Sequence, residues 1–209
     1  RGKHAFEKLI DSFKNQEIDI LVGTQMLAKG LDFANVTLVG ILNADNALHF
    51  PDFRAHERAF QMLMQVSGRS GRKDKEGRVI IQTYNSYPNI IQQVTTNNYA
   101  SMFKEQMYER LNFKYPPFYR LIRLQLKHVD FQKVKEGSFW LCNLLKNQLE
   151  MPVLGPEEPS INRIRNQYIR IILIKIPVNV PLGKTKNEIR KSIKSFEAIG
   201  AYRSVKTTI

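Results

Sequence analysis

The sequence predicts two successive units: an α/β unit with a mostly parallel sheet over residues 1–115, then a small α+β unit of the split βαβ kind over 116–209. Three observations carry this. In the first hundred residues short apolar runs alternate with helix-period segments, which is how parallel strands and their crossover helices read. At Tyr115-Pro116-Pro117 the pattern breaks, because proline lacks the N–H a helix needs and restricts the residue before it. Beyond the break the predicted order is βαβββαβ, close to a split βαβ sandwich with its helices on one face of an antiparallel sheet.

A helix is expected over 3–15, then a strand over 18–23, where an apolar run ends at Gly23 as buried parallel strands do. A strand over 37–42, a helix over 54–67 and a strand over 78–83 continue the alternation. Helices follow over 89–93 and 99–111. Met102, Phe103, Met107 and Leu111 recur roughly every fourth residue and read as core packing, not a cofactor box. In the second unit a strand over 119–128 leads to a helix over 131–149, in which Cys142 is expected to be a small buried hydrophobe. A strand over 153–154 precedes a hairpin joining 160–165 to 168–176 through Asn166-Gln167, a weaker turn than Asn-Gly. A helix over 184–198 and a strand over 202–207 complete the unit. There is no internal repeat and no low-complexity tract.

Composition bounds the function. With 43% hydrophobic residues the 209-residue chain can fill ordinary cores. It holds no apolar run near the ~20 residues of a membrane span and opens on no signal-like segment. Cys142 is the sole cysteine, so one chain builds neither a disulfide nor a cysteine-ligated zinc site, and it is compatible with a reducing cytosol. The four histidines are scattered without metal-ligand spacing. Residues 1–100 hold 12 Lys and Arg against 10 Asp and Glu, a net +2. Residues 101–209 hold 20 against 9, a net +11. An excess confined to one half is the footprint of a nucleic-acid partner, or a chance surface asymmetry.

Two short segments carry the chemistry. Gln65-Val66-Ser67-Gly68-Arg69-Ser70-Gly71-Arg72 reads Q-x-x-G-R-x-G-R at the end of a helix. Two guanidiniums three residues apart can pair with phosphate oxygens bidentately, as arginine fingers do in nucleotide hydrolases. A basic turn at a helix end gives the same letters. Upstream, Gly23-Thr24-Gln25 sits at the carboxyl end of a predicted strand, where open α/β sheets bind ligands. Gly30 and Asp32 follow at a turn, where Asp32 can be only a turn former. Asp45 stands at the same edge, positioning a ligand or turning the chain. In the second unit Arg163, Arg165 and Arg170 share the predicted ribbon with Asn162, Asn166, Gln167 and Tyr168, suiting phosphate contact and stacking or guarding a solvated sheet edge. Lys184, Lys186, Arg190, Lys191 and Lys194 cluster on the last helix, with Lys184, Lys191 and Lys194 on one side.

Together the two segments resemble motifs V and VI of the second RecA-like domain in superfamily-two helicases. The run G-T-Q-M-L-A-K-G-x-x-F from Gly23, then V-T-L-V, D-F-R-x-x-E-R-x-x-Q from Asp52, and Q-V-x-G-R-x-G-R more closely resembles the PriA family (primosomal protein N′) of bacterial replication-restart DNA helicases. Gly77 to Thr83, Glu109-Arg110 with Tyr115-Pro116-Pro117, and Val153-Leu154-Gly155-Pro156 extend the likeness. The resemblance implies a RecA-like domain, a ribosomal-protein-like α+β domain, and 3′-to-5′ unwinding at stalled forks that starts primosome assembly. It implies that Arg69 and Arg72 reach the γ-phosphate of ATP with its Mg²⁺ while Gln65 positions phosphate or water. Gly30, Asp32 and Gly68 would couple nucleotide state to DNA grip, and Thr24 and Gln25 would touch the DNA backbone. Partners would be branched and single-stranded DNA, single-stranded DNA-binding protein and primosome proteins, in the bacterial cytoplasm with the nucleoid. No G-x-x-x-x-G-K-[ST] loop, D-E-x-H box or cysteine-rich zinc segment of the family occurs here. The expectation is a carboxy-terminal fragment that does not hydrolyse ATP alone. A non-catalytic platform for DNA and single-stranded DNA-binding protein, or a related branch-migration translocase, remain alternatives; T-Q-M-L-A-K-G and P-P favour the PriA family.

Overall fold

The computed structural model describes residues 3–24, 33, 35–68, 70, 77–85 and 89–209. These fall into two units that divide after Met107, inside a helix and upstream of the proline break where sequence placed the boundary.

In the first unit α1 (Lys3–Lys14) precedes β1 (Leu38–Ile41), α2 (Asp45–Leu48), α3 (Ala55–Ser67), β2 (Arg78–Ile81), α4 (Asn89–Thr95) and the beginning of α5 (Tyr99–Asn112). β1 and β2 pair in parallel with Leu38 opposite Arg78 and Ile41 opposite Ile81. The apolar stripe of α3, Ala59, Phe60 and Leu63, packs with Ala44, Leu48, Ile90, Ile91, Val94 and Met102 into one core. Two expectations need correction. Residues 18–23 form no strand, and Ile20 and Val22 are exposed. An apolar run supplies a face, but a strand is held by a neighbour's ladder, and among the described residues the sheet of this unit contains only β1 and β2. Phe103 and Leu111 are also exposed; of the four positions spaced along α5 only Met102 is buried. Leu111 stands nine residues from Met102, about 180° around the helix, so these two cannot face one core.

The second unit runs β3 (Tyr119–His128), α6 (Phe131–Gln148), β4 (Val153–Glu157), β5 (Arg163–Ile164), β6 (Gln167–Pro177), α7 (Leu182–Glu197) and β7 (Lys206–Thr208). Its strands lie in the order β4-β6-β3-β7, each neighbour antiparallel, with β5 folded back on β6. Residues two apart share a sheet face. Ile122, Leu124 and Leu126 of β3 and Ile172, Ile174 and Ile176 of β6 therefore form one apolar surface, covered by Val134, Leu141, Cys142 and Leu145 of α6 and by Ile189 and Phe196 of α7. Asp130 starts α6 by accepting from the Lys133 N–H at 3.0 Å, and that bond holds its carboxyl below the usual range.

Two glycines shape this core. A Cβ on Gly137 would stand 3.2 Å from the Phe196 ring, so its absence lets the Phe196–Tyr202 stack lie against α6. Gly155 has φ +102°, where a Cβ would come within 2.6 Å of the Ile171 carbonyl, and there the β4 register shifts. The buried Cys142 thiol donates to the Gly155 carbonyl at 3.2 Å, and burial pushes its pKa up. The hairpin turn is Arg165-Asn166, one residue earlier than expected, with φ of 49° and 61°. Two successive left-handed residues match the right-handed strand twist. The last strand begins only at Lys206, because Tyr202 is drawn into the aromatic stack and its N–H bonds to the Ile199 carbonyl.

Candidate functional site

The parallel pair of the first unit is clasped at both ends by side chains. At the amino end the Ser70 hydroxyl lies 3.2 Å from the Thr37 carbonyl and 3.1 Å from that of Arg78. Ser70, the residue between Arg69 and Gly71 in the sequence, thus bridges the two strands where they begin. At the carboxyl end the buried Asp45 accepts from the Thr83 hydroxyl at 2.8 Å and from the Tyr84 N–H at 3.0 Å. The Tyr84 N–H is the main reason its carboxyl sits below the usual range. Asp45 thus closes the sheet edge by tying α2 to the segment after β2.

Gln65 is exposed on the last turn of α3, and Gly68 follows as its cap with φ −68°. Ordinary residues adopt that φ, and a Cβ there would make only an ordinary contact with the Met64 carbonyl at 3.5 Å. The freedom of glycine is therefore unused within the fold at Gly68. An exposed amide and a bare backbone at a helix end form a surface that a phosphate can approach closely. Asp52 stabilises the other end of α3, accepting from the Arg54 N–H at 2.8 Å and pairing with Arg58 at 3.0 Å. Thr24 is exposed. Gln25, Gly30, Asp32, Arg69 and Arg72 lie outside the described residues.

In the second unit the ribbon arginines part company. Arg170 lies opposite Leu126 on the core face, only 9% exposed. Its guanidinium pairs with Glu158 at 2.6 Å and covers the Phe131 ring at 5.4 Å. It closes the end of the core and is not a free phosphate contact, which corrects the sequence reading: strand parity, invisible in a cluster of cations, turns it inward. Tyr168 is also engaged, with Arg163 over its ring at 4.8 Å and Phe131 edge-on at 5.4 Å. It is not an open platform of its own. Arg163 and Arg165 are exposed, and Arg163 donates to the Asn166 side chain across the turn.

On α7 the spacing predicted from sequence holds. Lys184, Asn187, Glu188, Arg190, Lys191 and Lys194 surround one open groove of about 360 Å³, with Glu188 bonded to Lys191 at 3.0 Å. Sequence reasoning missed Lys175, which is 5% exposed on the sheet face opposite the helices. Its ammonium donates to the Phe113 carbonyl at 2.6 Å and stands 3.7 Å from the Tyr115 ring centroid. Burial, assisted by Lys114, lowers its pKa. The available signal was a single cation inside the apolar run Ile171 to Ile176. Among the described residues no cluster of three or more His, Cys, Asp or Glu could hold a metal, and no helix is long and apolar enough to cross a membrane.

Comparison with known families resolves which class this arrangement belongs to. Residues 3–74, which include the Q-x-x-G-R-x-G-R segment, match the helicase conserved C-terminal domain. The class is thus that of helicases with a RecA-like second domain. Residues 112–209 match the primosomal protein N C-terminal domain, and the chain belongs to the PriA family. It is similar to the replication restart protein PriA of Bacillus subtilis (41% identity over 194 residues, 92% of this chain and 24% of that protein). The Synechocystis protein of the same name shares 43% over 194 residues, covering 89% and 23% of the two chains. That of Treponema pallidum shares 37% over 173 residues, 82% and 26%. The chain spans about a quarter of the length of these relatives.

Proposed function

We propose that the intact protein is an ATP-dependent 3′-to-5′ DNA helicase that remodels stalled replication forks and starts primosome assembly, as the name replication restart protein suggests for its relatives. The observation that carries this reading is the Q-x-x-G-R-x-G-R segment in a matched helicase domain, whose first residue, Gln65, is exposed on the last turn of α3. Hydrolysis of ATP supplies the free energy. This chain's own residues bind and orient: Arg69 and Arg72 pair with γ-phosphate oxygens, and Gln65 aligns the phosphate or the attacking water. Gly68 lets the backbone approach without a methyl group in the way. Gly30 and Asp32 couple the nucleotide state to the grip of Thr24 and Gln25 on the DNA backbone.

The 209 residues taken alone are a DNA-contacting platform, since G-x-x-x-x-G-K-[ST] occurs nowhere in them, and no ATP turnover is expected from them. The strand order β4-β6-β3-β7 supports reading the second unit as a split βαβ fold of ribosomal-protein type. Its α7 groove and hairpin meet branched or single-stranded DNA. Single-stranded DNA-binding protein and primosome proteins are the protein partners of this reading, in the bacterial cytoplasm at the nucleoid. In the full-length protein Arg72→Ala should lower steady-state ATPase by ~10³ if Arg72 acts as a finger. A loss of only a few-fold would remove it from that role.

A further inference from the structure

Resting on the reading that the second unit contacts DNA, the geometry points to a more specific device: the end of the β5–β6 hairpin is a base-stacking platform. The outer face of the Arg163 guanidinium receives one unpaired base of single-stranded DNA, and Arg165 at the turn meets a neighbouring phosphate.

An arginine on a two-residue strand would ordinarily sample many rotamers, and ordering it costs conformational entropy. Here that ordering is already made. Arg163 lies opposite Tyr168 across the hairpin, its Cζ is 4.8 Å from the Tyr168 ring centroid, and it donates to the Asn166 side chain. Tyr168 is backed edge-on by Phe131, and Phe131 is covered by the buried Arg170 that Glu158 holds at 2.6 Å. The stack therefore runs from the closed end of the core outward and ends on Arg163, which is exposed.

A planar cation covered on one side by an aromatic ring offers its other side to a further π face. Guanidinium planes and bases stack in this way in single-strand recognition. One N–H of the fork is committed to Asn166, which makes Arg163 a poorer bidentate phosphate ligand than a free arginine. A base inside a duplex has both faces covered by its neighbours, so the platform selects unpaired strands. Arg165, exposed at the turn with φ 49°, projects its charge beside the platform.

The test uses the 209-residue chain and three probes: a 15-nucleotide oligothymidylate, a 15-nucleotide abasic strand with the same phosphates, and a 15-base-pair duplex. R163K keeps the charge and removes the plane. It should weaken oligothymidylate binding about five- to tenfold, the low end of what one stacked base contributes. Binding to the abasic strand and to duplex should change less than twofold, with the salt slope unaltered. R165A should instead lower the single-strand salt slope by about 0.7. Trp140 fluorescence melts of each variant check the fold. An equal loss for R163K on the thymidylate and abasic strands, or no loss on either, would overturn the platform while leaving the DNA-contact reading in place. If the unaltered chain binds none of the three probes, the DNA-contact reading itself falls, and this inference with it.

Discussion

Three arginines within eight residues of one ribbon have three different surroundings, and their position along the ribbon decides which: Arg163 shares the face of Tyr168 and Arg170 but lies at the hairpin end, beyond the core. Arg170 points to the core face and is held by Glu158 and Phe131, whereas Arg163 and Arg165 reach solvent. Arg170→Ala would remove the ion-pair partner of Glu158, leaving it the Asn162 amide at 3.1 Å, and uncover Phe131. Because Glu158 is 40% exposed, the expected cost lies between that of a surface and a buried pair, about 1–3 kcal/mol. Urea denaturation measures it, and a lowered DNA salt slope at unchanged stability would contradict the inward assignment. Lys175 makes a separate prediction. Its folded pKa lies below the free-lysine value of 10.5, so the folded state releases its proton first. Stability then rises with pH between the lowered value and 10.5. Lys175→Met, compared with the parent by thermal melts from pH 8 to 10.5, should remove that rise. A motif read by spacing finds cations but not their direction, which is why Arg170 and Lys175 had to be seen in the fold.

Elements with strong punctuation were legible to the residue. β3 begins after Pro116-Pro117 and ends before the Asp130 cap, and it spans the 119–128 expected of it. The apolar run 18–23 shows the opposite case, because sequence gives a strand's face but not the neighbour that completes its ladder. The hairpin turn was misplaced by one residue because Arg165 and Asn166 take left-handed φ without glycine. At Gly155 the backbone needs φ +102° beside the Ile171 carbonyl, so Gly155→Ala should cost at least about 1–3 kcal/mol. Gly68→Ala should leave the melting temperature within a degree or two, since its φ and surroundings admit a methyl group. If that variant in the full-length protein loses ATPase while its melt is unchanged, glycine is required by close approach of a ligand. A large fall in melting temperature would contradict the backbone argument.

The two units have separate cores of different size. Among the described residues, fifteen buried residues form that of the second unit and nine that of the first. Trp140, the only tryptophan, lies against the larger core near Phe196. In urea the far-UV circular dichroism should therefore begin to change before Trp140 fluorescence does; coincident curves would mean one cooperative transition. The net +11 of residues 101–209 leads to a further expectation for the whole chain. With an estimated three to five phosphate contacts on duplex DNA, log affinity against log salt should fall with a slope near −3 to −4.5. Anisotropy titrations at several salt concentrations test this, and a flat response would assign the charge to an acidic protein partner. The helicase segments were legible because their chemistry is linear in the chain, whereas the aromatic–arginine ladder joins residues from α6, β5 and β6 and has no linear signature.

Lys175 also divides the lysines of this chain by chemical reactivity. The lysines around the α7 groove are open to an amine-acylating reagent, while Lys175 is shut beneath Phe113 and Tyr115. Brief acylation followed by peptide mass spectrometry should modify the helix and pass over the strand. The slow appearance of label at Lys175 then serves as a clock for how often residues 113–115 lift from the sheet.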